Sequence, residues 1–323
     1  MTTSFLGETY ALLAAMTWAM ALVLFKRSGE SIPPVSLSLF KNVVAGILFA
    51  LTLLIASALP VESIRESVGL SFLASMHSGD LCILLLSGIV GIALADTLLF
   101  MSLDRIGVGL VAVVECTYAP LVFFFAWLML SEGVGPFDVA GGAMVLCGVA
   151  ISSTHAPPPG RTRGQLLFGM SLGVVAIALM AWGIVLAKPV LEYTPLLPAT
   201  MLRLAGGTVI LAVLMAASSR RRAHFAVFKP AAVWRTCIPA SILGTYFAMI
   251  FWVGGFKYAK ASVAAILNQT STVFALVLAT LILKEPFTRR KLAAAVVAFC
   301  GVAIVASSDE LSRFARSYGL SWG

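Results

Sequence analysis

The five residues CGVAI occur twice in the chain, at positions 147–151 and again at 300–304. The stretches around the two copies align without a gap, so that residues 91–151 correspond to residues 244–304. A biased composition gives scattered Ala and Leu matches, but it does not give five identical residues in a row. We therefore predict that the chain consists of two homologous halves.

The composition is that of a membrane protein. Of the 323 residues, 60% are hydrophobic and only 11% are charged, and the mean hydropathy is +1.01. Apolar stretches of roughly 20 residues recur along the chain, and each is long enough to cross the hydrocarbon layer as a helix. Since backbone polar groups find no water in that layer, spans of this length must be helical. The sequence therefore predicts an all-α membrane protein.

Ten such segments can be distinguished, and we number them 1 to 10 in chain order. They span 8–26, 35–58, 81–103, 107–130, 134–153, 165–187, 196–217, 236–257, 261–283 and 287–307.

The predicted organisation is a first repeat at 1–153, a Pro/Gly linker at 154–164, a second repeat at 165–307 and a polar C-terminal tail at 308–323. Each repeat contains five segments. An odd number of crossings places the two repeats in opposite orientations, related by a pseudo-two-fold axis in the membrane plane. We therefore expect two inverted five-helix repeats, an arrangement that suits transport by alternating access.

Several features recur at matching places in the two halves or stand out within one. They are Lys41 and Arg203 near the start of segments 2 and 7, the Ala119-Pro120 step, Glu132 and Glu285 after the fourth segment of each half, and Gly148 and Gly301 in segments 5 and 10. In these features the sequence resembles the EamA-type, ten-helix branch of the drug/metabolite transporter superfamily over residues 9–308. Residue 273 departs from the family pattern, because Val273 stands where the second half would have a proline.

The resemblance implies a carrier or facilitator whose central cavity is lined by the first four helices of each half, with segments 5 and 10 at the periphery. Members of the family carry amino acids, nucleotide sugars, purines, sugar phosphates and cationic drugs. Membership therefore implies transport but does not name the cargo.

Three charged residues of the first half fall at similar depths inside the membrane. Asp96 lies near the end of segment 3, Glu115 near the start of segment 4, and Lys41 near the start of segment 2. Buried charges are costly, so each needs a partner or a function. We expect Asp96 and Glu115 to lie close together or to share Lys41, and Glu115 to exchange protons. The alternatives are helix capping for the acids and snorkelling for Lys41.

The second half lacks these acids. The positions equivalent to Asp96 and Glu115 are Met249 and Asn268, so Arg203 has no acid opposite it. A guanidinium without a protein partner is suited to binding a carboxylate or phosphate of the cargo, and snorkelling is again the alternative. Aromatic and amide side chains on the helices expected to line the cavity are further candidate contacts, with ordinary helix packing as the alternative. They are Trp18, Tyr118, Trp182, Tyr246, Asn268 and Gln269.

Our functional hypothesis is a secondary transporter that exports small metabolites by alternating access, with amino acids or related carboxylates as the best cargo. A flippase for a lipid-linked headgroup is an alternative on the same fold. A membrane-embedded enzyme is disfavoured because the sequence has no HExxH motif and its three histidines lie in predicted loops. No catalytic residue, metal or cofactor is predicted.

The expected partners are a small-molecule substrate, protons and the lipid bilayer, with no nucleic acid, and the chain is expected to be a monomer or homodimer. The expected location is the bacterial cell (inner) membrane. Orientation stays open at this stage. The connections after the odd-numbered segments carry more Lys and Arg, which would place both termini outside the cytoplasm. By contrast, carriers of the EamA-type branch, which the sequence resembles, commonly have cytoplasmic termini.

Overall fold

The computed structural model describes residues 2–58, 76–130, 135–153, 162–229, 232–258, 261–284 and 288–317. In this part of the chain the regular structure is helical. The α-helices are α1 (Thr2–Gly29), α2 (Pro34–Ala58), α3 (Ser78–Gly88), α4 (Ala95–Glu115), α5 (Tyr118–Leu130), α6 (Pro136–Ser153), α7 (Arg163–Tyr193), α8 (Leu196–Ala217), α9 (Arg221–Phe225), α10 (Trp234–Ser241), α11 (Ala248–Tyr258), α12 (Ala261–Ile282), α13 (Arg289–Ala306) and α14 (Ser308–Ser317).

These helices contain all ten predicted segments. Among the described residues, six helices are long and apolar enough to cross a membrane, and the one at Ser78–Glu115 holds segment 3 and the start of segment 4. Shorter apolar helices account for the rest of segment 4 and for segments 5, 9 and 10. The predicted all-α fold with ten membrane-spanning helices is confirmed. Segment 6 was ended too early at 187, because α7 continues through Pro189 to Tyr193.

Some of the features noted in the sequence lie outside the described residues. Glu132, Glu285 and most of the linker at 154–164 are among them. The linker's last residues belong to the start of α7, where Thr162 caps the helix and exchanges hydrogen bonds with Gln165. Ser308–Ser317, in the predicted polar tail, form the short helix α14.

A π-helical turn interrupts one long crossing of each half. The first, at Ile89–Leu94, joins α3 to α4, and the second, at Ile242–Phe247, joins α10 to α11. The two turns occupy equivalent positions, 153 residues apart. Gly91 of the first turn lies against Gly183 of α7, and the corresponding Gly244 lies close to Ala21 of α1. Small residues thus allow the first helix of each half to cross the π-turn of the other half closely.

The helix pairs between the two halves are reciprocal. Helix α1 packs along α11 and α12, and its counterpart α7 packs along α4 and α5. The crossing of α6 and α13 repeats this symmetry at the level of single residues. A Cβ added to Gly148 would lie 2.7 Å from Ala298 Cβ, and a Cβ added to Gly301 would lie 2.8 Å from Val145 N. Gly148 is equivalent to Gly301, and Val145 to Ala298, so the contact is isologous, as a two-fold axis requires.

The fourth crossing differs between the halves. Segment 4 starts at Gly107, whose φ of 77° breaks the helix between segments 3 and 4. It is interrupted again at the turn Cys116–Thr117, before α5 begins. Pro120 has no N–H to give to the carbonyl of Cys116, which favours this break. In the second half, α12 runs without a break from Ala261 to Ile282. The fourth crossing of the first half, which contains Pro120, is therefore broken, whereas that of the second half, which has Val273 at the equivalent position, is not.

Candidate functional site

A cavity of about 130 Å³ lies at the centre of the protein. Its walls come from segments 1, 2, 3 and 4 of the first half and 6, 7, 8 and 9 of the second, and none of the described residues of segments 5 and 10 lines it. Eight of the ten predicted site residues lie at this cavity. They are Trp18, Lys41, Asp96, Glu115, Tyr118, Arg203, Asn268 and Gln269.

Lys41 and Asp96 form a buried ion pair at one side of the cavity. The Lys41 ammonium lies 2.5 Å from Asp96 Oδ2, and the two side chains are only 2% and 7% exposed. The ammonium also donates to Asn42 Oδ1 at 3.0 Å. The snorkelling alternative for Lys41 is thus excluded in this structure, because its charged end points to a buried carboxylate. The pair neutralises both charges.

Glu115 has a different environment from Asp96. One carboxylate oxygen, Oε1, accepts a hydrogen bond of 2.8 Å from the indole nitrogen of Trp18. The other, Oε2, is buried and has no hydrogen-bond partner among the described residues. The two acids therefore line the same cavity without sharing Lys41, which is the ion-pair partner of Asp96 alone. Glu115 thus lines the cavity and has one buried carboxylate oxygen without a hydrogen-bond partner among the described residues.

The break in segment 4 determines where Glu115 lies. Glu115 is the last residue of α4, directly before the turn at Cys116–Thr117. Two side chains of α12 bond carbonyl groups next to this break: Gln269 Nε2 donates to the Glu115 carbonyl at 3.3 Å, and Thr272 Oγ1 donates to the Ala112 carbonyl at 3.2 Å. The intact fourth crossing of the second half thus supports the broken one of the first half.

Arg203 lies on α8 and is buried, with 2% of its surface exposed. Its Nε donates to Ser87 Oγ at 2.9 Å, and its guanidinium lies over the ring of Trp252, 5.7 Å from the ring centroid. Within the described residues no carboxylate lies within ion-pair distance of it. The positively charged group therefore lacks a counter-ion and lines the cavity.

Two predicted residues do not reach the cavity. Tyr246 packs on α2 instead, where its hydroxyl is 2.6 Å from Thr52 Oγ1 and its ring lies 4.9 Å from that of Phe49. Trp182 is only partly buried and is absent from the cavity lining. Both were selected by residue type and by the helix on which they lie, and a helix also has sides that face away from the cavity.

Trp252 is the main lining residue that sequence reasoning missed. It is one helical turn after Met249, the residue equivalent to Asp96, so the two lie on the same face of α11. The spacing was therefore visible in the sequence. Apart from such polar and aromatic groups, the cavity wall is apolar, with Ile177 and Met180 contributed by α7.

The charges at the cavity are unequally distributed. Lys41 and Asp96 neutralise each other. Arg203 and Glu115 each keep polar side-chain atoms without a protein partner among the described residues. An apolar wall with a few placed polar groups is typical of small-molecule sites. The arrangement is suited to a small molecule that carries an anionic group and a hydrogen-bond donor.

Comparison with known proteins agrees with this architecture. The model of the EamA-like transporter family matches residues 5–154 and 167–307. A solved structure described as "Crystal structure of protein" has 15% sequence identity and a TM-score of 0.62, over 96% of this chain and 99% of that chain. At this identity the similarity concerns the fold alone. No curated protein matches. The chain belongs to the EamA-like transporter family and is a multi-pass membrane transporter, not an enzyme.

Proposed function

We propose that this transporter carries amino acids or related carboxylates, in the export direction, by alternating access. The observation that carries the proposal is the buried Arg203, a permanent cation at the cavity with no carboxylate within ion-pair distance among the described residues. A buried charge without a counter-ion is costly. Binding of an anionic cargo group supplies the missing counter-charge.

The opposite end of an amino acid also has a matching group. The free Oε2 of Glu115 is an acceptor suited to an ammonium group, and Asn268 Nδ2 is a buried donor without a partner among the described residues. Trp18, which holds the other oxygen of Glu115, presents an indole ring at the same cavity for an apolar side chain. A zwitterion would thus have a partner for each of its charges.

The two five-helix halves support alternating access because their contacts are reciprocal. Two similar halves that pack around one shared cavity can exchange conformations, so that the cavity opens to each side of the membrane in turn. The π-turns at Ile89–Leu94 and Ile242–Phe247 lie at this cavity and give both halves the same local irregularity. Proton coupling and the export direction stay predictions, and the orientation in the membrane stays open.

The test is a binding measurement on purified protein in lipid nanodiscs. Equilibrium dialysis against the twenty protein amino acids, and separately against their decarboxylated amines, should give retention of amino acids only. Arg203→Gln removes a charge-assisted contact worth about 1.5 to 3 kcal/mol, so the dissociation constant should rise roughly tenfold to a hundredfold. Arg203→Lys should recover part of the affinity, since an ammonium keeps the charge but loses the planar fork.

Arg105→Gln is the matched control. Arg105 is a partly buried arginine outside the cavity, where it bonds the Met101 carbonyl and lies over the Phe168 ring. The control should bind amino acids like the parent protein. If Arg203→Gln also binds them like the parent, the carboxylate assignment is wrong, and neutral or cationic metabolites become the better candidates.

A further inference from the structure

The Arg203 side chain is held at its Nε edge. Nε donates to Ser87 Oγ at 2.9 Å, and Ser87 in turn donates its hydroxyl proton to the Leu84 carbonyl at 2.9 Å. Ser87 is completely buried, so both of its hydrogen bonds are shielded from water. Nε is the only guanidinium nitrogen with a hydrogen bond to the described residues. The two terminal amino groups, which form the fork that binds carboxylates, have no hydrogen-bond partner in the described part of the chain.

The same guanidinium also lies over the ring of Trp252. The indole ring lies 5.7 Å from Arg203 Cζ and is itself packed between Tyr118, at 6.3 Å, and Phe256, at 5.6 Å between ring centroids. A cation over an indole ring is attracted by the negative face of the ring. The hydrogen bond holds the Nε edge of the guanidinium and the indole ring lies beside its carbon, so two contacts from different helices restrict the orientation of the fork.

Glycines bring this arrangement together. A Cβ on Gly88 of α3 would overlap the main-chain carbonyl of Arg203, and a Cβ on Gly206 of α8 would overlap the Leu85 carbonyl. Helix α8 can therefore approach α3 closely only because both positions are glycine. This approach places Arg203 beside Ser87.

The corresponding cation of the first half is Lys41, whose ammonium also lies near an aromatic ring, 6.0 Å from the Phe100 centroid, but which is held differently at its polar end. The positions equivalent to Ser87 and Gly88 are Ala240 and Ser241, so that no hydroxyl stands at the place equivalent to Ser87. The two equivalent cations thus have different surroundings. Lys41 is neutralised by Asp96, whereas Arg203 is held by Ser87 and Trp252 without a carboxylate within ion-pair distance among the described residues.

We propose that Ser87 and Trp252 are positioning residues that hold the Arg203 guanidinium with its fork directed into the cavity, as a preformed receptor for a planar anionic group of the carboxylate class. The proposal deepens the proposed function and rests on it for the identity of the cargo. The orientation itself is independent of any cargo. A preoriented side chain loses less conformational freedom when the ligand binds, so affinity and selectivity both increase.

The first experiment measures orientation without cargo. Nuclear magnetic resonance of protein labelled with 15N-arginine, in nanodiscs, should give an Arg203 Nε–H signal that exchanges slowly with water and is missing in Arg203→Lys. Ser87→Ala and Trp252→Leu should each make this proton exchange at least about tenfold faster, since an opening that costs 1.4 kcal/mol less is ten times more frequent. Trp252→Phe keeps an aromatic face and should keep the slow exchange. Fast exchange in the parent protein, or slow exchange in both variants, would overturn the positioning role.

The second experiment measures binding by dialysis against the same amino acid and amine mixtures. Ser87→Ala and Trp252→Leu should weaken retention of amino acids roughly tenfold, a change that corresponds to about 1.4 kcal/mol. In the Arg203→Lys background neither substitution should weaken it further, because the fork that they orient is already gone. A loss of the same size in that background would indicate a general packing defect and overturn the proposal.

The two proposals fail in different ways. If the parent protein retains neither mixture while the Arg203 Nε–H signal behaves as expected, the cargo assignment is wrong and the positioning stands. If the parent retains amino acids but the signal is unaffected by both variants, the positioning is wrong and the cargo assignment stands.

Discussion

The ion pair between Lys41 and Asp96 allows a quantitative prediction about stability. Its side chains are 2% and 7% exposed, so either charge would be poorly hydrated if the other were removed. Removing one partner of a buried pair typically costs about 3 to 5 kcal/mol, because an uncompensated charge is left behind. We therefore expect Asp96→Asn and Lys41→Met each to lower the free energy of unfolding by about that amount.

The assay is reversible unfolding of the purified protein in mixed detergent micelles. Asp104→Asn is the matched control, because Asp104 also faces a lysine, Lys26, but at 4.0 Å and with its side chain 42% exposed. Exposed pairs contribute about 0 to 1 kcal/mol, so the control should lose little. The double variant Lys41→Met, Asp96→Leu removes both charges and should recover most of the stability. If Asp96→Asn costs no more than Asp104→Asn, the pair is not a buried ion pair and the charge distribution deduced for the cavity is wrong.

Two further predictions concern the cavity and the symmetric helix crossing. Glu115→Gln should weaken binding of the best-retained amino acid roughly tenfold, since the ammonium end of the amino acid meets Glu115. The affinity for the corresponding deaminated carboxylic acid, also measured by dialysis, should stay the same. Equal losses for both ligands would contradict this assignment. Gly148→Ala and Gly301→Ala should each cost about 1 to 3 kcal/mol in the unfolding assay, because the added Cβ would lie 2.7 Å from a neighbouring Cβ at Gly148 and 2.6 Å from a carbonyl oxygen at Gly301. Gly46→Ala, with no atom within 4 Å of the added Cβ, is the control and should be neutral or stabilising; equal effects at all three positions would refute the close crossing.

The fold was predictable because the bilayer imposes strong constraints on sequence. Long apolar stretches have few alternatives to membrane-spanning helices, and the duplicated CGVAI run locates the two halves. The positions of the π-turns follow the same offset, although periodicity alone gives no sign of them. The break in segment 4 is partly readable from Pro120, since proline removes a helix hydrogen bond.

Side-chain partners were less predictable than helices. A shared depth in the membrane placed Lys41, Asp96 and Glu115 near one another, but depth leaves the rotation of each helix about its axis undetermined. The pairing of Lys41 with Asp96 alone, and of Glu115 with Trp18, depends on that rotation. Because this rotation is undetermined by the sequence, Tyr246 was expected at the cavity, whereas it packs on Phe49 and Thr52.

The two homologous halves form two similar walls of the cavity. If these walls were identical, both ends of a cargo molecule would meet the same side chains. An amino acid has different ends, so a selective site needs walls that differ. The differences are concentrated at equivalent positions: Asp96 is matched by Met249, and Glu115 by Asn268. With Met249 and Asn268 at these positions, Arg203 has no carboxylate within ion-pair distance among the described residues, whereas Glu115 has an oxygen without a hydrogen-bond partner there. The halves therefore share the reciprocal helix packing that alternating access needs, at Gly148 and Gly301, and differ at residues that line the cavity.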